Sequence, residues 1–204
     1  MSSANNNPID ITNLPPVSID RMVRAVEKVR QRLLRTTAIL KEADIPFAVV
    51  GGNAVAAWVS RVDEAAVRNT ADVDILIRRE DLDRVRVAME AGGFVFGQSM
   101  NVDFFLDGPD GKIRDAVHLL YASEKVKEKY ADPTPSLDRV DNAGQFPIVE
   151  LEDLVRMKLT SFRDKDRTHL RDMIGIEIID ATWPARFRAQ LGDRLQQLLD
   201  DPDG

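Results

Sequence analysis

The chain contains no cysteine and only two histidines, His118 and His169, among its 204 residues. Disulfides, thiolate catalysis and cysteine-based zinc sites are thereby excluded, and two histidines are too few for a histidine-only metal cage. Any bound metal is held mainly by oxygen. The sequence also lacks a run of 18 apolar residues, and residues 1–17 hold neither a basic stretch nor an apolar core. Neither a membrane span nor a signal peptide is expected, and the cytoplasm is the expected compartment. A basic excess is missing as well: 34 acidic against 28 basic side chains give a net charge of −6, which argues against a broad nucleic-acid footprint. The 44% apolar and 30% charged residues predict an ordinary globule with a solvated surface rather than a disordered chain.

Residues 1–17, with Pro8, Pro15, Pro16 and three consecutive asparagines, have nothing periodic to bury and read as a loose arm. Ser18 can cap a long amphipathic helix with apolar positions Met22, Val26, Val29, Leu33 and Leu40, ending before Pro46. Phe47-Ala48-Val49-Val50 reads as a short buried strand stopped by Gly51-Gly52, and residues 53–60 as an alanine-rich helix. Further strands are predicted at Asp72 to Ile77, 94–98, 102–107 and 113–121, with a helix over 80–91 between the first two. Gly108 to Gly111 closes the last pair into a hairpin. Residues 125–146 are polar and read as loop, and helical patterns follow at 151–163, 165–180 and 185–199. The predicted architecture is α/β (α+β): a mixed β-sheet flanked by helices in a domain of residues 18–150, with a helical C-terminal extension, residues 151–204, packed on it.

The informative constellation is Val50-Gly51-Gly52 followed, twenty residues after the second glycine, by Asp72-Val73-Asp74-Ile75. Asp72 and Asp74, two apart on a strand, project from one face, so their carboxylates can share divalent cations while Val73 and Ile75 enter the core. The glycines allow close backbone approach, and the helix opening at Asn53 presents free N–H groups and a positive dipole end to phosphates. Metal and phosphate side by side is the layout that phosphoryl or nucleotidyl transfer needs.

These motifs resemble the signature of the nucleotidyltransferase superfamily. The run Arg68 to Asp74, with Glu152 to Leu159, Arg163-Asp164-Lys165-Asp166 and His169-Leu170-Arg171-Asp172 downstream, is similar to the small bacterial branch that includes AbiEii-type toxins and antibiotic nucleotidyltransferases. The resemblance spans residues 45–175. It implies an enzyme, a transferase moving a nucleoside monophosphate from an NTP such as ATP to an acceptor, with two Mg²⁺ ions. It implies Asp72 and Asp74 as catalytic metal ligands, and Gly51 and Gly52 at the nucleotide's triphosphate. Lys158 would neutralise phosphate charge, with Lys165 as a second candidate.

A third carboxylate on a neighbouring strand usually completes such a site, and here the apolar–acidic–apolar pattern falls on Val117-His118-Leu119. If Gly108 to Gly111 is a four-residue turn, Phe104 faces Asp115, which makes Asp115 the first choice for the third catalytic and metal-binding residue. A slip of one residue favours Asp103 or His118 instead. The acceptor is a small molecule, a protein hydroxyl or an RNA end; net acidity ranks the small molecule first, although Arg156, Lys158, Arg163, Lys165, Arg167 and Arg171 offer an RNA a local patch. The long first helix offers a face for a homodimer. Two other readings compete. A dinucleotide-binding domain fits poorly because Gly51-Gly52-Asn53-Ala54-Val55-Ala56 lacks the second pyrophosphate glycine. A non-catalytic nucleotide- or partner-binding module of toxin–antitoxin type is favoured by His118 at the acid position. His169 is expected to be a surface or helix-packing residue, and Trp58 and Trp183 core residues.

Overall fold

In the computed structural model, which describes residues 14–100, 102–142 and 144–202, the chain enters its first helix at Ser18. The loose arm expected at residues 1–17 falls mostly on residues 1–13, outside the described residues. The Ser18 hydroxyl accepts from the Arg21 N–H at 3.4 Å and opens α1 (Ile19–Glu42), with Asp20 in the first turn and Lys41 in the last, as the helix dipole prefers. Its buried positions, Arg32, Leu33, Thr36, Thr37 and Leu40, all lie in its second half. Only that half is packed, while Ile19, Met22 and Val23 are exposed.

The other elements are β1 (Phe47–Val50), α2 (Gly51–Ser60), β2 (Val73–Ile77), α3 (Leu82–Ala91), β3 (Val95–Ser99), β4 (Val102–Leu106), β5 (Val117–Tyr121), β6 (Val140–Asp141), β7 (Ile148–Val149), α4 (Leu151–Ser161), α5 (Asp164–Gly175) and α6 (Ala189–Asp200). The described strands form one mixed sheet in the order β3-β4-β5-β2-β1-β7-β6. β1 runs antiparallel to β2 and parallel to β7, and β2 runs parallel to β5. Helices cover both faces. Phe47, Val49, Val73, Ile75, Ile77, Val117 and Leu119 pack with Leu33 and Leu40 of α1 and Val85 and Met89 of α3. Ala48, Val50 and Leu76, of opposite parity, pack with Ala54 and Val55 of α2 and with Leu154, Leu159, Leu170, Met173, Leu191 and Leu195 of α4 to α6. The mixed sheet, the flanking helices and the helical C-terminal part are as expected. No described helix is long and apolar enough to cross a membrane.

Two local expectations are corrected. Residues 125–146 are not all loop, because β6 lies within them; with β7 it adds two two-residue strands that carry too few side chains to show a period. The strand expected from residue 113 starts at Val117 instead. Residues Ile113–Asp115 form a 3₁₀ turn, and the pairing is Phe104 with His118, three residues away from the expected Phe104–Asp115 match. Contacts from α1 explain the shift: Asp107 is held by Arg32 at 3.3 Å and by Arg35, so the connection between β4 and β5 is a long loop tied to a distant helix rather than a four-residue turn.

Candidate active site

β1 and β2 run antiparallel with Val50 opposite Asp74, which brings the end of β1 against the start of β2. The chain turns there directly into α2. Gly51 has φ +68°, and a Cβ on it would lie 1.9 Å from Asp74 Oδ2. A Cβ on Gly52 would lie 2.7 Å from Thr70 Oγ1. Each glycine thus makes room for a side chain of the loop and strand carrying the acidic pair. Asn53, one residue on, donates from Nδ2 to the Asp72 carbonyl oxygen at 2.7 Å and ties the entry of β2 to α2.

Asp72, Asp74, Gly51, Gly52 and Lys158 all line one cleft of about 460 Å³, together with His118, Lys165, Arg163 and the loop carrying Lys125, Lys127 and Tyr130. Five of the six expected site residues are therefore brought together. Both carboxylates are half-buried and each meets a basic side chain: Asp72 Oδ2 lies 3.5 Å from Lys165 Nζ, and Asp74 Oδ1 lies 3.6 Å from His118 Nδ1. The Asp74 carboxylate, against the opposing effect of burial, holds the His118 imidazole above its ordinary pKa.

The sixth residue, Asp115, is elsewhere. It sits in the 3₁₀ turn ahead of β5, half-buried and 3.8 Å from Arg114, and does not line the cleft. Asp103 is also removed from the site. Strand parity puts it on the sheet face opposite His118, where Gln98 donates to it at 2.7 Å and the Tyr121 hydroxyl donates to its other oxygen. Parallel pairing of β2 with β5 sets His118 directly beside Asp74, so the neighbouring-strand position is filled by an imidazole. Among the described residues, no group of three or more carboxylate or histidine side chains converges as a metal site.

Lys158 lies in α4 and is 5% exposed. Its Nζ is 3.1 Å from Asp166 Oδ1 across the corner between α4 and α5. Burial pushes the Lys158 ammonium below its ordinary pKa, with Asp166 opposing. Lys165 reaches Thr70 Oγ1 at 3.4 Å as well as Asp72. Asp172 is held by Arg68 at 2.8 and 2.9 Å, on the loop before β2. Asn53, Thr70 and Asp166 lie within the stretches that carry the resemblance, but the sequence assigns their side chains no role in the site. The one sequence signal is the position of Asp166 three residues after Arg163, whose backbone N–H its carboxylate accepts as in half of a capping box.

His169 is buried behind these lysines, with no hydrogen-bond partner on Nδ1 among the described residues. Burial first, then the Lys158 and Lys165 charges, lowers its pKa to about 4. An unfolded histidine titrates near 6.5, so between those values the unfolded chain binds the extra proton and stability falls as pH falls. Urea unfolding at pH 7 and pH 4.5 should show the wild type losing on the order of 2 kcal/mol more than His169→Gln over that interval. Equal losses would mean that His169 does not stay neutral.

Residues 20–183 match the model of a family described as nucleotidyltransferase of unknown function (DUF6036). Among solved structures, an antigenic nucleotidyltransferase-like protein from Paracoccidioides brasiliensis superposes with a TM-score of 0.52 at 16% identity, covering 88% of this chain and 91% of that one. The antibiotic-resistance factor ANT(2'')-Ia in solution gives 0.47 at 14% identity over 90% and 93% of the two chains. The same factor in complex with adenylyl-2''-tobramycin gives 0.43 at 14% identity over 86% and 96%. No curated protein sequence matches. At these identities structural likeness speaks for the fold alone, and the first of the three carries it.

Proposed function

The chain belongs to that nucleotidyltransferase family, and on this premise we propose that it transfers a nucleoside monophosphate from an NTP to an acceptor hydroxyl, with Mg²⁺ at Asp72 and Asp74. One observation carries the reading: both carboxylates open into a single cleft beside the first turn of α2 and two lysines. The donor set suits a hard cation. Asp72 and Asp74 would hold one Mg²⁺ through their carboxylate oxygens, the ligand type this cation prefers. A second ion has no third carboxylate to hold it among the described residues. When bound, the metal neutralises phosphate charge and polarises the P–O bonds.

The first N–H groups of α2 have no intrahelical acceptors and face the polyphosphate, with the helix dipole favouring its charge. Lys165 exchanges Asp72 for a phosphate oxygen, and Arg163 and Lys158 offset the charge that builds on the departing pyrophosphate. The acceptor oxygen bonds to the α-phosphorus in line, the bond to the bridging oxygen breaks, the pyrophosphate takes the electron pair, and the hydroxyl proton passes to solvent water. Asn53 fixes the Asp72 main chain, so the first carboxylate keeps its place through the exchange. We rank the acceptor as a small molecule before a protein hydroxyl or an RNA end, in keeping with the cleft's volume and the net negative charge.

The test is calorimetric titration with each of the four NTPs, with and without Mg²⁺. Saturable binding that requires Mg²⁺ is expected, and the preferred base follows from the same data. A second reading, a non-catalytic nucleotide- or partner-binding module, is favoured by His118 beside Asp74 where an acid would complete the metal site. Binding of NTP with no pyrophosphate release toward any hydroxyl acceptor would move the assignment there. Absence of NTP binding would defeat the nucleotide site altogether.

A further inference from the structure

Asp166 is 0% exposed, yet it carries a full set of donors. Its Oδ1 accepts from Lys158 Nζ at 3.1 Å and from Arg163 Nη2 at 3.4 Å. Its Oδ2 accepts from the Ser161 hydroxyl at 2.6 Å, from Arg163 Nε at 2.8 Å and from the Arg163 backbone N–H at 3.2 Å. The donors come from both sides of a sharp corner, where α4 ends at Phe162 with φ +46° and α5 begins at Asp164. Lys158, Ser161 and Arg163 line the cleft.

We infer that Asp166 is a positioning residue for the transfer reaction: it fixes the Lys158 ammonium on the cleft wall, charged and aimed at the nucleotide's polyphosphate. This rests on the functional reading above. The physics is that of a buried cation. Lys158 is nearly enclosed and burial disfavours its charged form, so a fixed carboxylate at 3.1 Å is what keeps the proton on it. Asp166 also borders the cleft, but with none of its surface exposed it acts on a ligand through Lys158 rather than by contact. Its own pKa lies well below the ordinary carboxylate range, because the Arg163 and Ser161 hydrogen bonds and the Lys158 charge outweigh burial, so it is ionised whenever the protein is folded. The groups facing Lys158 are Asp166 and Arg163 at the corner, His169 on α5 and Asp74 on β2.

Calorimetric affinities for NTP and NMP of the same base, for the wild type, Asp166→Asn, Lys158→Met and the double variant, test it. Asp166→Asn should weaken NTP binding by about 10- to 100-fold, the range typical of supporting residues, while NMP affinity stays within about twofold. In the Lys158→Met background the Asp166 change should add little, because it acts through Lys158. Equal loss for NTP and NMP would mark Asp166 as merely structural and overturn the proposal, as would additive effects in the double variant. A second measurement needs no nucleotide: labelling of Lys158 by an amine-selective reagent, followed by mass spectrometry across pH. The labelling curve should move to lower pH in Asp166→Asn, since only a neutral amine reacts. An unmoved curve rejects the inference even if the wild type proves to bind no NTP, and a moved curve without NTP binding rejects the functional reading instead. If Asp166→Asn does not fold, Arg163→Gln, which removes the competing cation and leaves the Asp166 carboxylate to Lys158, should move the labelling curve to higher pH, and an unmoved curve rejects the inference.

Discussion

Asp74→Asn is expected to abolish Mg²⁺-dependent NTP binding, a loss of about 100-fold or more, while the thermal midpoint stays at or slightly above that of the wild type. Asp74 is half-buried, in register with Val50 on one side and His118 on the other, so the isosteric amide occupies the same space against Gly51. What changes is charge. Removing it takes away a hard oxygen ligand for the metal and relieves like-charge repulsion with Asp72 in the nucleotide-free protein. His118 loses its carboxylate partner and titrates lower, toward an ordinary histidine, which costs little at neutral pH. Asp72→Asn should show the same loss of binding, with Lys165 freed from its 3.5 Å contact. Asp115→Asn should bind as the wild type does, because Asp115 lies outside the cleft. Calorimetry and thermal melts of the three variants decide the matter. An unfolded Asp74→Asn would make the residue structural and remove the metal assignment, and weakened binding in Asp115→Asn would return that residue to the site.

Gly51→Ala should be the most destabilising single-methyl change in the chain. Two costs combine: a left-handed backbone at φ +68°, which an L side chain adopts only with strain of about 1–3 kcal/mol, and a methyl placed 1.9 Å from Asp74 Oδ2. Neither can be relieved by a rotamer of the alanine, which has none. The expected loss is roughly 3 kcal/mol or more, or a drop in thermal midpoint of about 6–12 °C for a domain of this size. Combining it with Asp74→Ala separates the two. The overlap with the carboxylate is removed, leaving only the 2.9 Å approach of Asp74 Cβ, while the backbone cost persists, so the double variant should be more stable than the sum of the singles by about 1–2 kcal/mol. Additive losses would show that the carboxylate swings aside freely and that the glycine serves the turn alone.

The parts of this molecule that could be read from sequence are those carried by short stretches. The β1–Gly-Gly–α2 turn and the Asp-x-Asp strand rest on alternation and backbone freedom within a few residues, and both stand close to where expected, with α2 opening at Gly51 rather than Asn53 and β2 at Val73, one residue after Asp72. The C-terminal helices announce themselves by their period. The β4–β5 connection departs from the expected hairpin, and the contacts that hold it, Arg32 and Arg35 on Asp107, come from more than seventy residues upstream, where no local pattern announces them. The four-residue turn expected there ranks Asp115 ahead of the alternatives His118 and Asp103, since strand parity magnifies a register error into the wrong face. Asp166 was passed over for a different reason. An aspartate among Arg163, Lys165 and Arg167 reads as one more surface charge, and only the corner at Phe162 turns it inward.

The two walls of the cleft come from distant parts of the chain: Asp72 and Asp74 belong to its first half, whereas Lys158, Arg163 and Lys165 arrive after residue 150. During synthesis the acidic wall leaves the ribosome first, and for the next eighty or so residues nothing basic from α4 or α5 stands opposite it. Over the same interval the sheet face formed by Ala48, Val50 and Leu76 waits for Leu154, Leu159 and Leu170 to cover it. A nascent chain of this length therefore carries its carboxylates and an uncovered apolar face together, and both are resolved in one step when α4 and α5 dock. A protease cut or a stop codon near residue 150 would leave not a smaller copy of this fold but a sticky, acidic half-cleft.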